Sequence, residues 1–328
     1  MNTRTHKIAK CSPQRPFGMA GFSLIEMMIS ITIGMMIIAA LVGVVASNSR
    51  STKSNDRTSE LQGNGRYALD QLKSAIHSAG YRAYTWAAPN TPTITGVNNE
   101  CLDGGIADSF VINLRQGIWG ANDSNPYSAN CMSNTNPTYT HPYSDGDILV
   151  IRRVSTTATP TAALDANTLY FRSTYASGQV FQGTSEPNIT TAPVADFALQ
   201  EYVYYIGSDD NDATIPALRR ITLQGNDMVD EMVVSGIEHM QLQYGIAATD
   251  LTTQYFNADS IPGSSTDTNP TPWDGVRSVR IWLLARNAKT EPGYTNTNTY
   301  TMGDQAYAVN DGYRRQLFTT AVELRNGG

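Results

Sequence analysis

The residue types that usually run chemistry are scarce in this chain. Only 16% of its 328 residues are Asp, Glu, Lys or Arg, with four histidines and three cysteines. The histidines, His6, His77, His141 and His239, have no spacing of a catalytic or metal-binding kind. Gly-x-Ser-x-Gly, a phosphate-binding P-loop, His-Glu-x-x-His and Cys-x-x-Cys are all missing. Gly63-Asn64-Gly65 is no dinucleotide fingerprint, because no strand precedes it and the spacing fails. Basic residues are not in excess either. A net charge of −6 argues against a broad nucleic-acid-binding surface, which needs basic stripes. No repeat of fixed period is evident. An enzyme is not expected, nor a cofactor.

What the chain does have is one long apolar run. From Phe22 to Ala46, 25 residues carry a single charge, Glu26, with Ser23 before it and Ser30 and Thr32 after it as the other clearly polar side chains. As a helix this is roughly 37 Å, enough to cross a hydrocarbon core of about 30 Å. Ahead of it lies a short basic leader with Arg4, Lys7, Lys10 and Arg15 and no acid. Positive charge before a first membrane helix keeps that end in the cytoplasm. An ionisable residue in such a helix is costly and is a functional candidate by default. Near the helix N-terminus it also meets a favourable dipole.

The stretch Gly21-Phe22-Ser23-Leu24-Ile25-Glu26 followed by about twenty apolar residues resembles the processing signal of type IV pilins and type II secretion pseudopilins. That pattern is Gly, Phe or Met, Thr or Ser, Leu, an aliphatic residue and Glu, and every position matches. A cleaved secretory signal differs: its apolar core is roughly 7–15 residues and its small-residue site follows the core. The resemblance implies cleavage by a prepilin peptidase between Gly21 and Phe22, with methylation of the new N-terminal Phe22. It implies that Glu26, then the fifth residue, pairs with an N-terminal amine during filament assembly. Residues 1–21 are thus read as the leader. It holds four of the 23 Lys and Arg and none of the 29 acids, so its removal takes the net charge from −6 to −10. Cys11 leaves with it. Cys101 and Cys131 remain, in a region expected to face the periplasm, where one disulfide is the expected state and two free thiols the alternative.

The expected fold class is α+β and pilin-like. One helix spans residues 22–80, its first part (22–46) transmembrane, packed on a largely antiparallel β-rich head. Leu61, Gly65, Ala68, Leu69, Leu72, Ile76 and Ala79 recur at three- and four-residue steps and form one apolar stripe. Gly80 is the expected stop, and Gly34, Gly43, Gly63 and Gly65 are weak points for bending. Residues 81–142 read as a loop-rich insertion holding the disulfide, with Ser109–Leu114 its one strand-like run. Residues 143–328 read as the head. Its expected strands are 147–152, 169–171, 197–206, 217–223, 228–235, 237–244, 276–285 and a last alternating run from Phe318, with 276–285 central because it is apolar on both faces. Segments 257–272 and 289–308 read as polar loops.

The second half resembles a branch of the same family. Gly236-Ile237-Glu238-His239-Met240-Gln241-Leu242-Gln243-Tyr244-Gly245, Val276-Arg277-Ser278-Val279-Arg280-Ile281-Trp282-Leu283-Leu284-Ala285-Arg286 and Tyr313–Asn326 look like PilW-type minor pilins, relatives of the J-type pseudopilins. The resemblance implies a role in type IV pilus assembly or initiation, in a tip complex. Implied partners are other minor pilins and the major pilin, the prepilin peptidase, the pilus assembly platform, a PilY-type tip adhesin and the inner membrane, with no nucleic acid. The alternatives are a J-type pseudopilin of type II secretion and a tip-exposed adhesin-like head. Two further clusters carry expectations. Asp209-Asp210-Asn211-Asp212 offers hard oxygen ligands that could hold Ca²⁺ but lacks EF-hand spacing, and a solvated hairpin turn is the plainer reading. Tyr202, Tyr204, Tyr205 and Trp282 read as sheet core, and the pairs Arg219/Arg220 and Arg314/Arg315 as strand-face pairing and not a DNA tract.

Overall fold

The computed structural model describes residues 21–92, 94, 96–101, 110–127, 131–132, 141–247, 252–261 and 273–326. The leader, apart from Gly21, lies outside them. The chain divides into two compact units, 1–54 and 55–328, and helix α1 (Leu24–Ser78) passes through the boundary. The helix starts where the N–H groups of Glu26 and Met27 both donate to Ser23 O, at 3.0 and 3.1 Å. It continues unbroken through Gly34, Gly43, Gly63 and Gly65. It stops where Gly80 adopts φ +71°, a conformation that favours glycine.

The second unit is built on the apolar stripe of α1. Leu61, Gly65, Ala68, Leu69, Leu72, Ala75 and Ile76 are all buried. Full burial of a side chain such as Leu72 or Ile76 contributes about 1.5–3 kcal/mol. Among the described residues thirteen strands follow: β1 (Ile118–Ala121), β2 (Ile148–Val154), β3 (Leu169–Ser173), β4 (Gly178–Gln182), β5 (Ala195–Ser208), β6 (Pro216–Gln224), β7 (Asp227–Ser235), β8 (Ile237–Ala247), β9 (Thr253–Phe256), β10 (Val276–Arg286), β11 (Thr299–Met302), β12 (Gln305–Ala308) and β13 (Arg315–Glu323). β5 is the spine of a seven-stranded sheet. It pairs β3 through Ala195–Ala198, β2 through Leu199–Tyr204 and β6 through Tyr202–Ser208; β1, β4 and β7 lie outside those. A second sheet runs β13-β10-β8-β9, and β11 and β12 form a hairpin. Every strand pairing is antiparallel. The architecture is therefore a long helix packed on antiparallel sheets.

The helix meets the second sheet along β13. A Cβ built on Gly65 would stand 2.2 Å from the Phe318 ring, so the ring occupies the space a side chain would take. His77 Nδ1 lies 2.8 Å from Glu323 O, and at the end of β7, in the seven-stranded sheet, Ser235 O accepts from Asn64 Nδ2 at 3.1 Å. In the core, Arg152 is fully buried. Its Nε donates to Glu201 Oε1 (3.0 Å) and to Phe110 O (2.8 Å), and its Nη1 to Gln116 Oε1 (3.1 Å). One cation thereby ties β2, β5 and the 110–116 segment together.

Two expectations need correction. Phe110–Leu114 is not a strand, and Ser109 lies outside the described residues. The apolar side chains of Phe110–Leu114 are buried, and the polar Asn113 is half-buried. The backbone of this segment closes on itself, Asn113 N donating to Phe110 O and Leu114 N to Ile112 O, while Val111 N donates to the buried Glu100 carboxylate. The strand of that region is Ile118–Ala121, four residues ending Gly-Ala, too short to show a period. Within 289–308 lies the β11–β12 hairpin. Of 257–272, residues 258–260 make a single 3-10 turn and 262–272 lie outside the described residues. Strands β4 and β9 also carry no clear pattern in the sequence, being five and four residues long.

Candidate functional site

The first unit presents the candidate assembly segment. Gly21 and Phe22 precede the helix, and Phe22 is 85% exposed. From Leu24 to Val45 the large apolar side chains are exposed, Ile38 at 62%, and α1 is long and apolar enough to cross a membrane. The hydroxyls in this run are satisfied internally: Ser30 Oγ donates to Glu26 O (2.7 Å) and Thr32 Oγ1 to Ile29 O (2.9 Å). Glu26 is different. It sits in the first turn, where the helix dipole favours an anion, and among the described residues its carboxylate has no hydrogen bond or ion pair. A carboxylate moved into an apolar environment needs a cation, because an unpaired charge there is strongly disfavoured.

The second unit places the remaining predicted residues. Cys101 and Cys131 form a disulfide with Cα atoms 4.9 Å apart, and both are fully buried. The bond closes a loop over a separation of 30 residues, and Phe110 and Tyr127 between them pack edge to face inside. The carboxylates of the acidic turn between β5 and β6 serve three separate partners. Asp209 Oδ1 accepts from Asn211 N (2.8 Å), and Asp212 Oδ1 from Thr214 Oγ1 (2.7 Å) and N (3.0 Å). These bonds hold both groups below the usual carboxylate range. Asp210 Oδ1 accepts from Arg219 Nη1 at 2.7 Å and lies 3.5 Å from His141 Nε2. The three sit in a hydrogen-bonded hairpin turn, and no group of three His, Cys, Asp or Glu among the described residues is arranged to hold a metal.

Both arginine pairs meet acids, Arg219 and Arg220 across the β6–β7 pairing. Arg219 holds Asp230 through Nε and Nη2 (3.0 and 2.8 Å), and Arg220 bonds Glu231. Arg314 pairs with Glu291, and Arg315 with Glu238 and with Asp311. Of the aromatics, Tyr204 and Tyr205 are buried, while Tyr202 is half-buried with the Arg153 and Arg220 guanidiniums 5.7 and 4.9 Å from its ring centre. Trp282 is also half-buried. Sequence reasoning missed the Arg152–Glu201 pair. Its signal was a charged residue in the middle of each of two largely apolar strands.

Residues 203–326 match the family model of PilW, described as type IV pilus-assembly protein W. The match begins within β5 and takes in β6 to β13. A search of curated proteins finds no match. Among solved structures, a type IV-like pilin from Thermus thermophilus is similar at 12% sequence identity and a TM-score of 0.36, covering 82% of this chain and 97% of that one.

Proposed function

We propose that this chain, whose residues 203–326 carry the PilW pilus-assembly sequence, is a prepilin that works as a minor pilin of a type IV pilus. The observation that carries this reading is the exposed apolar helix from Leu24 to Val45 with its single unpartnered carboxylate at Glu26. The precursor sits in the inner membrane by that helix, leader in the cytoplasm and head in the periplasm. The prepilin peptidase cuts between Gly21 and Phe22, and Phe22 is methylated. The helix then leaves lipid for a bundle of like helices, where Glu26 takes an amine, its own N-terminus or a neighbour's, as counter-ion. The assembly platform, the major pilin and other minor pilins are the partners, and the head stands in a tip complex that can include a PilY-type adhesin.

Three measurements test it. Mass spectrometry of the chain recovered from its host membranes should give an N-terminal methyl-Phe22, and an uncut N-terminus would remove the prepilin reading. Glu26→Ala should enter filaments poorly while the head keeps its native circular dichroism. Normal incorporation would remove the proposed role of the carboxylate. Capture of the intact protein with its neighbours should recover other minor pilins, and recovery of secretion pseudopilins would move it to type II secretion.

A further inference from the structure

Among the described residues of the second unit, five large apolar side chains are exposed: Tyr67 on α1, and Tyr84, Trp86, Tyr175 and Val194. The last four gather at one corner of the seven-stranded sheet, where the segment after α1, the β3–β4 turn and the lead into β5 meet. Ser173 joins the first two. Tyr84 N donates to Ser173 Oγ (3.0 Å), which donates to Arg82 O (3.1 Å). Further along, Asn90 N donates to Gly178 O (2.8 Å), so residues 84–90 run beside the turn with Trp86 between the two tethers. Ser173 also pairs with Ala195, which sets Val194 next to the turn. The corner is free of charge: no Asp, Glu, Lys or Arg occurs in 83–99, 173–185 or 187–195.

The rings are supported from below. Tyr84 packs edge-on against the buried Phe197, with centroids 5.5 Å apart, and against Tyr175 at 6.0 Å. The turn that carries Tyr175 is closed by Thr174, whose Oγ1 donates to Ser177 O (3.0 Å) and accepts from Ser177 N (3.1 Å). Beside Trp86, Thr85 Oγ1 accepts from Ala87 N at 3.0 Å. Trp86 is nevertheless 70% and Tyr175 73% exposed. The hydroxyls of Tyr84 and Tyr175 and the indole N–H of Trp86 have no hydrogen-bond partner among the described residues. Backbone anchored under exposed rings lowers the ordering cost of binding something to them.

The chemistry of the corner narrows what it takes. Nothing charged stands in the three segments to answer an acidic or a basic ligand. A standard protein interface uses about 800 Å² from each partner and draws on Arg and Met as well as aromatics. Here no Leu, Ile, Met or Phe of the second unit is exposed among the described residues, so beyond Val194 the rings have no aliphatic surface to extend into. A pyranose ring suits them. Its C–H faces are apolar and weakly positive, complementing the negative face of an aromatic ring. Its hydroxyls need donors and acceptors, which the ring edges and the exposed Ser177, Thr190 and Thr191 supply. We infer that this corner binds an uncharged saccharide chain, with sugar rings stacked on Trp86 and Tyr175 and hydroxyls bonded to the phenol and indole groups at their edges. This is a property of the head itself and does not rest on the assembly reading.

The full-length chain, in a detergent without a sugar headgroup, is titrated with maltotriose, cellotriose and triacetylchitotriose, and with trigalacturonate as an acidic counterpart. Binding is read by tryptophan fluorescence and by saturation-transfer NMR. At least one neutral trisaccharide should bind, and more tightly than trigalacturonate. Trp86→Ala and Tyr175→Ala, at exposed positions that leave the core intact, should each weaken binding by about tenfold. Tyr67→Ala removes an exposed ring outside the three segments and should leave the affinity unchanged. Failure of all three neutral sugars to bind would overturn the inference, as would unchanged affinity in Trp86→Ala or an equal loss in Tyr67→Ala. A photo-crosslinking residue in place of Trp86 that captures another protein subunit in the host would also overturn it and make the corner a subunit contact.

Discussion

Ile38 and Ile76 are the same residue type on the same helix, and their surroundings could hardly differ more. Ile76 is fully buried against the sheet, whereas Ile38 is 62% exposed amid side chains that are apolar all round the helix. Ile76 belongs to a stripe with charges on the opposite face, the pattern of a helix that covers a water-soluble core. Around Ile38 no face is polar, the pattern of a helix that lives in lipid or in a bundle of its own kind. The two lengths also treat charge differently. In the head, even a fully buried guanidinium, Arg152, meets a carboxylate. In the apolar length, Glu26 meets none among the described residues. The head pairs its buried arginine within itself, while the first half of α1 leaves Glu26 to be met by other molecules.

Substitutions sharpen this contrast when ranked by their effect on unfolding of the head. Arg152→Met should cost the most, about 3–5 kcal/mol, because it strands Glu201 in the core. Adding Glu201→Leu should restore much of that loss, and urea unfolding followed by near-ultraviolet circular dichroism would read both. Replacing Cys101 and Cys131 together by alanine should cost about 3–4 kcal/mol from loop closure. A midpoint that reductant still lowers in that double variant would contradict the pairing.

Asp311→Asn should have a smaller effect, visible mainly in acid. Hydrogen bonds from Arg315 hold the Asp311 carboxyl below its ordinary value. Its contribution is therefore present above the unfolded value of about 3.9 and lost as pH falls through the lower folded one. The variant should show a flatter loss of stability across that window than the wild type. Ile38→Ala and Glu26→Ala should come last, within about 0.5 kcal/mol of the wild type in head unfolding. A large shift from either would show that the apolar length supports the head and would break the contrast.

Much of this was legible from local patterns. Ile148-Leu149-Val150-Ile151 is β-branched and follows a turn signal, and β2 forms there. Val276–Arg286 is apolar on both faces and lies between β8 and β13, as a doubly covered strand should. The stripe of α1 could be read because a helix repeats its face every three or four residues. Phe110–Leu114 misled because burial alone does not distinguish a strand from a tight turn capped by a distant carboxylate, here Glu100. The β11–β12 hairpin was illegible because Thr-Tyr-Thr-Met and Gln-Ala-Tyr-Ala resemble loop composition. The bonds from Asn122 to Asp304 and from Gln305 to Asp123 were illegible for a different reason: these are ordinary polar residues until folding brings together positions 182 apart.

The slot at Gly65 has a mechanical consequence. Phe318 fits there because no Cβ stands in its way, and one turn up or down the helix the corresponding positions are Leu61 and Leu69. Sliding the helix along β13 by one turn would drive a leucine into the ring, and close-packed interiors resist such overlap. Phe318 therefore works as a ratchet pawl. An axial load on the helix at this point meets a steric stop as well as the adhesion of the apolar stripe, so the helix–sheet joint should hold its register under tension until the β13 side gives way.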